Sequence, residues 1–365
     1  MTATRGLPIT PQLRLVAWEI TKRCNLHCAH CRASSKDAHY QDELSTDECF
    51  RLIDSLLEVG KPVLILTGGE PLYRDDVFEI GKYATGRGLR VVLGTNGTLI
   101  TSETAADLKR IPVSRIGVSI DFPTPELQDS FRGASGAFDS AIEGIDNARN
   151  AGIEVQINST ITRMNVSLLD DLLQLALDMG AAAFHPFMLV PTGRGKSLAD
   201  VELSPDEYEN VLNWIFDRQS QMGDRLSIKP TDAPHYMRVT MQRRGVMPTD
   251  TESNAGKPGC LDSITRGCLA GISFCFISHV GRVQGCGYLD VEAGDLRRQT
   301  FPDVWHDSPL FTQLRDVSNL KGKCGDCEYR LACGGCRARA YEATGDYLAA
   351  EPYCVYAPAA VRQRR

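Results

Sequence analysis

Residues Trp18 to Arg32 read WEITKRCNLHCAHCR and set Cys24, Cys28 and Cys31 in a C-x3-C-x2-C array. The apolar run Leu13 to Ile20 leads into it and reads as a strand, so the array lies on a loop leaving a strand end. Three soft thiolates this close in sequence suit iron–sulfur or zinc. Three ligands on a four-iron cluster leave one iron open, where a further molecule can bind. Zinc is the alternative, because His27 or His30 could supply a fourth ligand. The spacing differs from the ferredoxin runs C-x2-C-x2-C and C-x4-C-x2-C.

Composition narrows the class. At 365 residues the chain is long enough for two or three domains. Its hydrophobic fraction of 42% suits a sizeable core, and its net charge of -6 disfavours a nucleic-acid partner. The N-terminus, MTATRGLPITPQLR, has no apolar centre, so no signal peptide is expected. No run approaches a membrane span, and a cytoplasmic location is expected. The 13 cysteines are an odd number, which together with that location points to metal rather than disulfides. Cys49 stands alone in a helical pattern and reads as core.

From the first strand to about residue 218, strands and helices alternate. Ser45 and Glu48 form a capping box that opens a helix to Val59. Val63 to Thr67 is an apolar strand ending in Gly68-Gly69-Glu70-Pro71. Further strands are expected at Arg90 to Thr95, Arg115 to Asp121, Glu154 to Thr162 and Ala183 to Leu189. Ser102 and Ser204 are expected to cap the helices that follow them, with Pro205 in its first position in the second. Six strands alternating with six helices imply a parallel α/β sheet. Polar residues gather at or near the C-terminal ends of these strands: the cysteines, Glu70, Asn96, Asp121, Asn158 and Arg194. A barrel collects such ends at one mouth, whereas an open sheet collects only those at its switch point. The expected fold is therefore a partial (β/α)6 TIM-like barrel over 11–218, a connector over 219–259, and a small cysteine-rich C-terminal iron–sulfur domain over 260–365.

The connector is polar, rich in Gly and Pro and locally basic, with Lys229, Arg238, Arg243, Arg244 and His235. It reads either as a solvated linker or as a segment draped over the barrel mouth. His185, beside Phe184 and Phe187, reads as a core histidine. In the C-terminal part, Phe276 to Val283 reads as a hairpin around Gly281, and Gly287 to Val291 carries no clear strand signal. Cys324-x2-Cys327-x5-Cys333-x2-Cys336, followed by Cys354, marks a second metal region. Zinc in its C-x2-C pairs is again the alternative.

Taken together, C-x3-C-x2-C at the end of the first strand and GGEP at the end of the second resemble the radical S-adenosylmethionine (SAM) enzymes. The resemblance implies a 4Fe-4S cluster on Cys24, Cys28 and Cys31 whose open iron chelates SAM. Gly68, Gly69, Glu70 and Pro71 would meet the SAM amino group. Asn96, Ser119, Asp121, Asn158 and Val190 fall where the family touches the ribose, carboxylate or adenine. Each could equally satisfy strand-end backbone groups. The C-terminal cysteines resemble the family's SPASM extension, which carries one or two auxiliary 4Fe-4S clusters. By position, Cys324, Cys327, Cys333 and Cys354 match one cluster. Cys268, Cys286 and Cys336, with Cys260, match a second. Two residues separate Cys333 from Cys336 where the family has three, and Cys275 matches no family role.

The stretches FHPFMLVPTGRGK, KPTDAPHYMR, GYLDVEAGDLR and CGGCRARAYEATGDYLAAEPYC are similar to one branch of that family, the SAM-dependent heme synthases of the sirohaem-based pathway. This implies oxidative decarboxylation of two propionates of iron-coproporphyrin III to vinyl groups. The implied partners are the iron-porphyrin substrate and a ferredoxin or flavodoxin-like electron donor. Arg194, Lys229, His235 and Arg238 are the expected substrate contacts, since carboxylates call for cations. The alternatives are a didecarboxysirohaem deacetylase or heme d1 type enzyme, a SPASM peptide-modifying enzyme, and a non-catalytic iron–sulfur or zinc protein. Peptide-modifying relatives usually carry an added peptide-gripping domain, and about a dozen residues before the first strand are too few for one.

Overall fold

Parallel strands follow one another across a single sheet in chain order. They are β1 (Leu15–Thr21), β2 (Val63–Gly68), β3 (Arg90–Thr95), β4 (Arg115–Ser119), β5 (Glu154–Ile161), β6 (Ala183–Met188) and the short β7 (Ser227–Ile228). The computed structural model describes residues 9–246 and 266–362. Among these, the strand order from β1 to β7 never reverses, so this run of strands has no switch point and winds as a partial barrel. The crossovers carry α1 (Thr46–Val59), α2 (Val77–Gly86), α3 (Ser102–Arg110), α4 (Pro125–Arg132), α5 (Ala137–Asn150), α6 (Leu169–Asp178) and α7 (Pro205–Met222).

Local sequence accounts for most of these elements. The capping box of α1 forms as expected from Ser45 and Glu48, and at α7 the expected cap Ser204 forms one as well, with Glu207 bonded back to it. Thr101 rather than Ser102 caps α3: its hydroxyl accepts from Thr104 N, and Ser102 is the first helical residue. Alternation along β1 puts Val16, Trp18 and Ile20 into the main core with Cys49, Leu52 and Ile53 of α1. Glu19 therefore points to the opposite face. β4 ends at Ser119, so Asp121 lies beyond the strand and is free to turn inward.

The connector differs from its reading. It begins inside α7, contributes β7, and continues as α8 (His235–Arg243), which buries His235, Tyr236, Arg238, Val239 and Met241. Its end, and with it Cys260 at the start of the C-terminal part, lies outside the described residues.

The C-terminal part is not a separate layer. Its first strand, β8 (Phe274–Ile277), pairs in parallel with β1 on the side away from β2, Leu15 opposite Phe274 and Trp18 opposite Ile277. β9 (Arg282–Gln284) completes the hairpin around Gly281, and β10 (Glu292–Asp295) closes a 10-stranded sheet. This pairing covers the edge that β1 would otherwise expose. Cys275, on β8, is fully buried in the core. Short helices α9 (Phe301–Asp307), α10 (Pro309–Arg315), α11 (Gly322–Gly325), α12 (Arg337–Thr344) and α13 (Ala359–Arg362) follow.

Candidate active site

The cysteine loop after β1 is gripped by the loops that leave four other strands. GGEP holds it first. Gly69 N and Glu70 N donate to the carbonyls of Thr21 and Arg23, each at 2.8 Å. A Cβ on Gly69 would stand 2.2 Å from the Arg23 oxygen, so only glycine lets the two chains come this close. From β3, Asn96 Nδ2 donates to Asn25 Oδ1 at 2.8 Å and stands 4.0 Å from Cys24 Sγ. From α4, after β4, the carbonyls of Phe131 and Arg132 accept from Ala29 N and His27 N. From β6, Arg194 N donates to Cys31 O, while its guanidinium donates to Cys28 O at 2.9 Å and Ser35 O at 2.7 Å. Gly193, at φ +54, lies so close that a Cβ would be 2.1 Å from Arg32 O.

The three thiols receive N–H donors. Cys24 Sγ accepts from Leu26 N at 3.4 Å, Cys31 Sγ from Ser35 N at 3.3 Å, and Cys28 Sγ from Arg132 Nη1 at 3.7 Å. Such donors suit a sulfur carrying negative charge. Burial pushes the Cys24 thiol up to about 12, so an unligated thiolate is disfavoured there, whereas a bound metal holds it deprotonated. This donor set fits a cluster held by Cys24, Cys28 and Cys31, with Asn96 beside it.

Several side chains expected to face a cofactor are turned onto the protein itself. Glu70 is fully buried, and its carboxylate accepts from Thr95 Oγ1 at 2.7 Å, Asn96 N at 2.8 Å and Leu72 N at 3.1 Å. Its role in the geometry is to lock the GGEP loop onto the end of β3. Asp121 is also fully buried. Its Oδ1 accepts from Thr160 N, and its Oδ2 lies 2.5 Å from Arg132 Nη2. Ser119 and Asn158 lie opposite one another on β4 and β5. The Ser119 carbonyl accepts from Gln128, and Asn158 Oδ1 accepts from Gln156. Val190, just past β6, packs with Leu289, Cys336 and Ala338 of the C-terminal part.

The expected substrate contacts separate. Arg194 binds the cysteine loop, as above. Arg238 is buried and pairs with both carboxylate oxygens of Glu209 and with Gln242, which commits its guanidinium to α7 and α8. Lys229 is half-buried directly after β7. His235 lines a different feature of the fold. It is buried in a partly open cavity with about 390 Å³ of empty space, whose wall carries Cys324, Cys327, Cys333 and Cys354. Burial holds its imidazole well below its usual range, and neither ring nitrogen has a hydrogen-bond partner among the described residues. Gly335 N donates to Cys333 Sγ at 3.4 Å and Glu351 N to Cys324 Sγ at 3.3 Å, so this cavity repeats the thiol-plus-N–H chemistry of the first site.

Three arginines and a glutamate that sequence reasoning passed over complete the arrangement. Arg132 bridges Asp121 and Cys28. Arg32, the residue after Cys31, pairs with the buried Glu19, whose Oε1 also lies 2.6 Å from His279 Nδ1. Burial alone would raise the Glu19 carboxyl, but Arg32 and His279 bring it down to about 2. Arg339 of α12 is fully buried and donates to Leu189 O at 2.9 Å, tying the C-terminal part to the end of β6. Of these, only Arg32, directly after Cys31, carried a signal in the local sequence.

Comparison with known proteins agrees with this arrangement. Residues 18–179 match the model of the radical SAM superfamily, and residues 268–328 match that of an iron–sulfur cluster-binding domain, SPASM. The AdoMet-dependent heme synthase of Nitratidesulfovibrio vulgaris is 48% identical over 96% of this chain and 94% of its own length. The Fe-coproporphyrin III synthase of Methanosarcina barkeri is 32% identical over 93% of this chain and 87% of its own. Among solved structures, Streptococcus suis SuiB bound to S-adenosylmethionine shares the fold with a TM-score of 0.73 at 16% identity, over 95% of this chain and 78% of its own. Among the described residues, no helix is long and apolar enough to cross a membrane. With a barrel-like sheet, a cysteine loop clamped by GGEP and a cysteine-lined C-terminal cavity, the chain belongs to the radical SAM superfamily, in the SPASM-bearing group that includes the AdoMet-dependent heme synthases.

Proposed function

We propose that this enzyme converts two propionate side chains of iron-coproporphyrin III into vinyl groups and so forms heme b. The observation that carries the reading is the 48% identity, nearly end to end, to a curated AdoMet-dependent heme synthase, against 32% for the Fe-coproporphyrin III synthase. In each round the propionate loses one hydrogen atom, one carbon dioxide and one electron. When bound, the cluster and SAM supply a primary carbon radical able to take that hydrogen, and an auxiliary cluster supplies a one-electron acceptor.

The chain's own residues prepare the site. Cys24, Cys28 and Cys31 are the proposed ligands of the SAM-binding cluster. Glu70 and Gly69 hold the loop beside them, and Asn96 stands where SAM would meet its edge. Arg194 and Gly193 close the cysteine loop from the far side. Cys324, Cys327, Cys333 and Cys354 are the proposed ligands of an auxiliary cluster in the cavity that His235 shares. Lys229, at the end of the sheet just after β7, is assigned to a substrate carboxylate. A cytoplasmic setting and a ferredoxin or flavodoxin-like donor complete the reading, because electrons must enter from outside.

The test is anaerobic turnover of the reconstituted protein with SAM, a strong reductant and iron-coproporphyrin III, followed by mass spectrometry. Two stepwise losses of carbon dioxide with two hydrogens, alongside 5′-deoxyadenosine, support the reading. Deoxyadenosine with an unchanged porphyrin moves the substrate to didecarboxysirohaem, heme d1 precursors or a peptide.

A further inference from the structure

Asp232 lies between β7 and α8 with its backbone in the left-handed region, at φ +58. Asn, Asp and Gly are the residues that tolerate this conformation. Its main chain is anchored: the carbonyl oxygen accepts from the Tyr208 hydroxyl at 3.0 Å and from Arg339 Nη1 at 3.3 Å. Its side chain is not, since Oδ2 is shut away from solvent and has no hydrogen-bond partner among the described residues. A bare carboxylate oxygen inside a protein is costly, and native structures almost always satisfy such groups. None of the described residues does so.

The groups around this carboxyl are thiols. Burial pushes the Cys286 and Cys336 thiols up, and the charge of Asp232 pushes both further; each also lies within electrostatic range of Cys268. Geometry ties the same residues together. Arg339 N donates to Cys336 Sγ at 3.4 Å while its guanidinium holds the Asp232 carbonyl. On the other side, a Cβ on Gly267 would stand 2.7 Å from Pro234 O, so the chain after Asp232 lies directly against the residue before Cys268. Cys286 and Cys336 both pack on the cluster of Leu289 and Val190. Asp232 thus lies within electrostatic range of Cys286 and Cys336, its loop packs against the residue before Cys268, and its Oδ2 has no partner among the described residues.

We propose that Asp232 supplies an oxygen ligand to an auxiliary iron–sulfur cluster held by Cys268, Cys286 and Cys336. The proposal rests on the radical SAM reading and adds to it a ligand that no cysteine spacing reveals. A carboxylate is a harder donor than a thiolate, so this iron would be the most exchangeable of its cluster.

The experiment compares the full-length, anaerobically reconstituted wild type with D232N, D232G, C268A and C260A. Asn and Gly both accept the left-handed backbone, and neither carries the anion. Iron and sulfide per chain are measured, with electron paramagnetic resonance of the reduced protein. C268A is expected to lose about four irons, one cluster's worth. D232N and D232G are expected to lose iron from the same cluster or to shift the g-values of its signal, with the SAM-responsive signal unchanged. Iron content and spectrum equal to wild type in both Asp232 variants would overturn the assignment. So would full iron in C268A, which removes the cluster itself, or loss of that iron in C260A alone, which gives the fourth position to Cys260. Absence of a SAM-responsive signal from the wild type would instead strike at the radical SAM reading.

Discussion

Arg132 Nη1 stands 3.7 Å from Cys28 Sγ, and the same guanidinium holds Asp121 Oδ2 at 2.5 Å. A buried ion pair therefore presses a cationic N–H donor onto one thiol of the loop proposed to hold the SAM-binding cluster. Reduction adds negative charge to a cluster, and this donor favours the reduced form. Replacing Arg132 with Met should lower the midpoint potential of that cluster by about 60 mV, the one-electron equivalent of ~1.4 kcal/mol. It should also strand Asp121, at a cost of about 3–5 kcal/mol in stability. A redox titration followed by electron paramagnetic resonance reads the first effect and denaturant unfolding the second; an unmoved potential refutes the tuning role.

Glu70 provides a test by pH. Burial raises its carboxyl to about 7, against the N–H groups of Asn96 and Leu72 and the Thr95 hydroxyl, which lower it. An acid whose folded pKa is raised binds more protons folded than unfolded, so its contribution to stability falls as pH rises from about 4.5 to about 7. A shift of this size is worth about 3 kcal/mol across that window. Glu70→Gln cannot titrate, so its stability should vary less between pH 5 and 7 than that of the wild type. At neutral pH it should also bind SAM more weakly, because an amide cannot accept all three donors. Unfolding curves at several pH values, with SAM binding by calorimetry, check both.

Arg194 distinguishes a loop clamp from a substrate contact. Its guanidinium is spent on Cys28 O and Ser35 O. Hydrogen bonds from a charged donor are worth about 1.5–3 kcal/mol each. Arg194→Ala should therefore loosen the cysteine loop, lower iron retention and slow SAM cleavage even without porphyrin. A residue that only bound propionate would leave porphyrin-independent cleavage at the wild-type rate, and that outcome would count against the clamp.

Cys327 lies in the wall of the C-terminal cavity, remote in sequence from the SAM-binding loop. Cys327→Ser should abolish vinyl formation while SAM cleavage continues, since hydrogen abstraction and electron removal would use different clusters. Chromatography of deoxyadenosine and porphyrin from the same reaction measures the two separately. Vinyl formation at the wild-type rate would sink the acceptor role.

Local sequence by itself determined much of this protein. The capping boxes of α1 and α7, the apolar parallel strands and the cysteine spacings are short-range features, set by neighbours within a few residues. They were enough to indicate a barrel, a SAM-binding loop and a metal-bearing C-terminal part. What tertiary structure alone decided is where the polar side chains at the strand ends point. Glu70, Asp121, Arg194 and Arg238 look like ligands in sequence. Each instead satisfies a buried partner contributed by another loop or helix, because an unpaired charge inside the fold costs more than a lost contact at its surface. The pairing of β8 with β1, the Glu19–Arg32–His279 contact across some 260 residues of chain, and the buried, unpartnered Oδ2 of Asp232 near Cys286 and Cys336 among the described residues were equally beyond local pattern. They depend on which segments the curved sheet brings side by side, and no spacing along the chain encodes that.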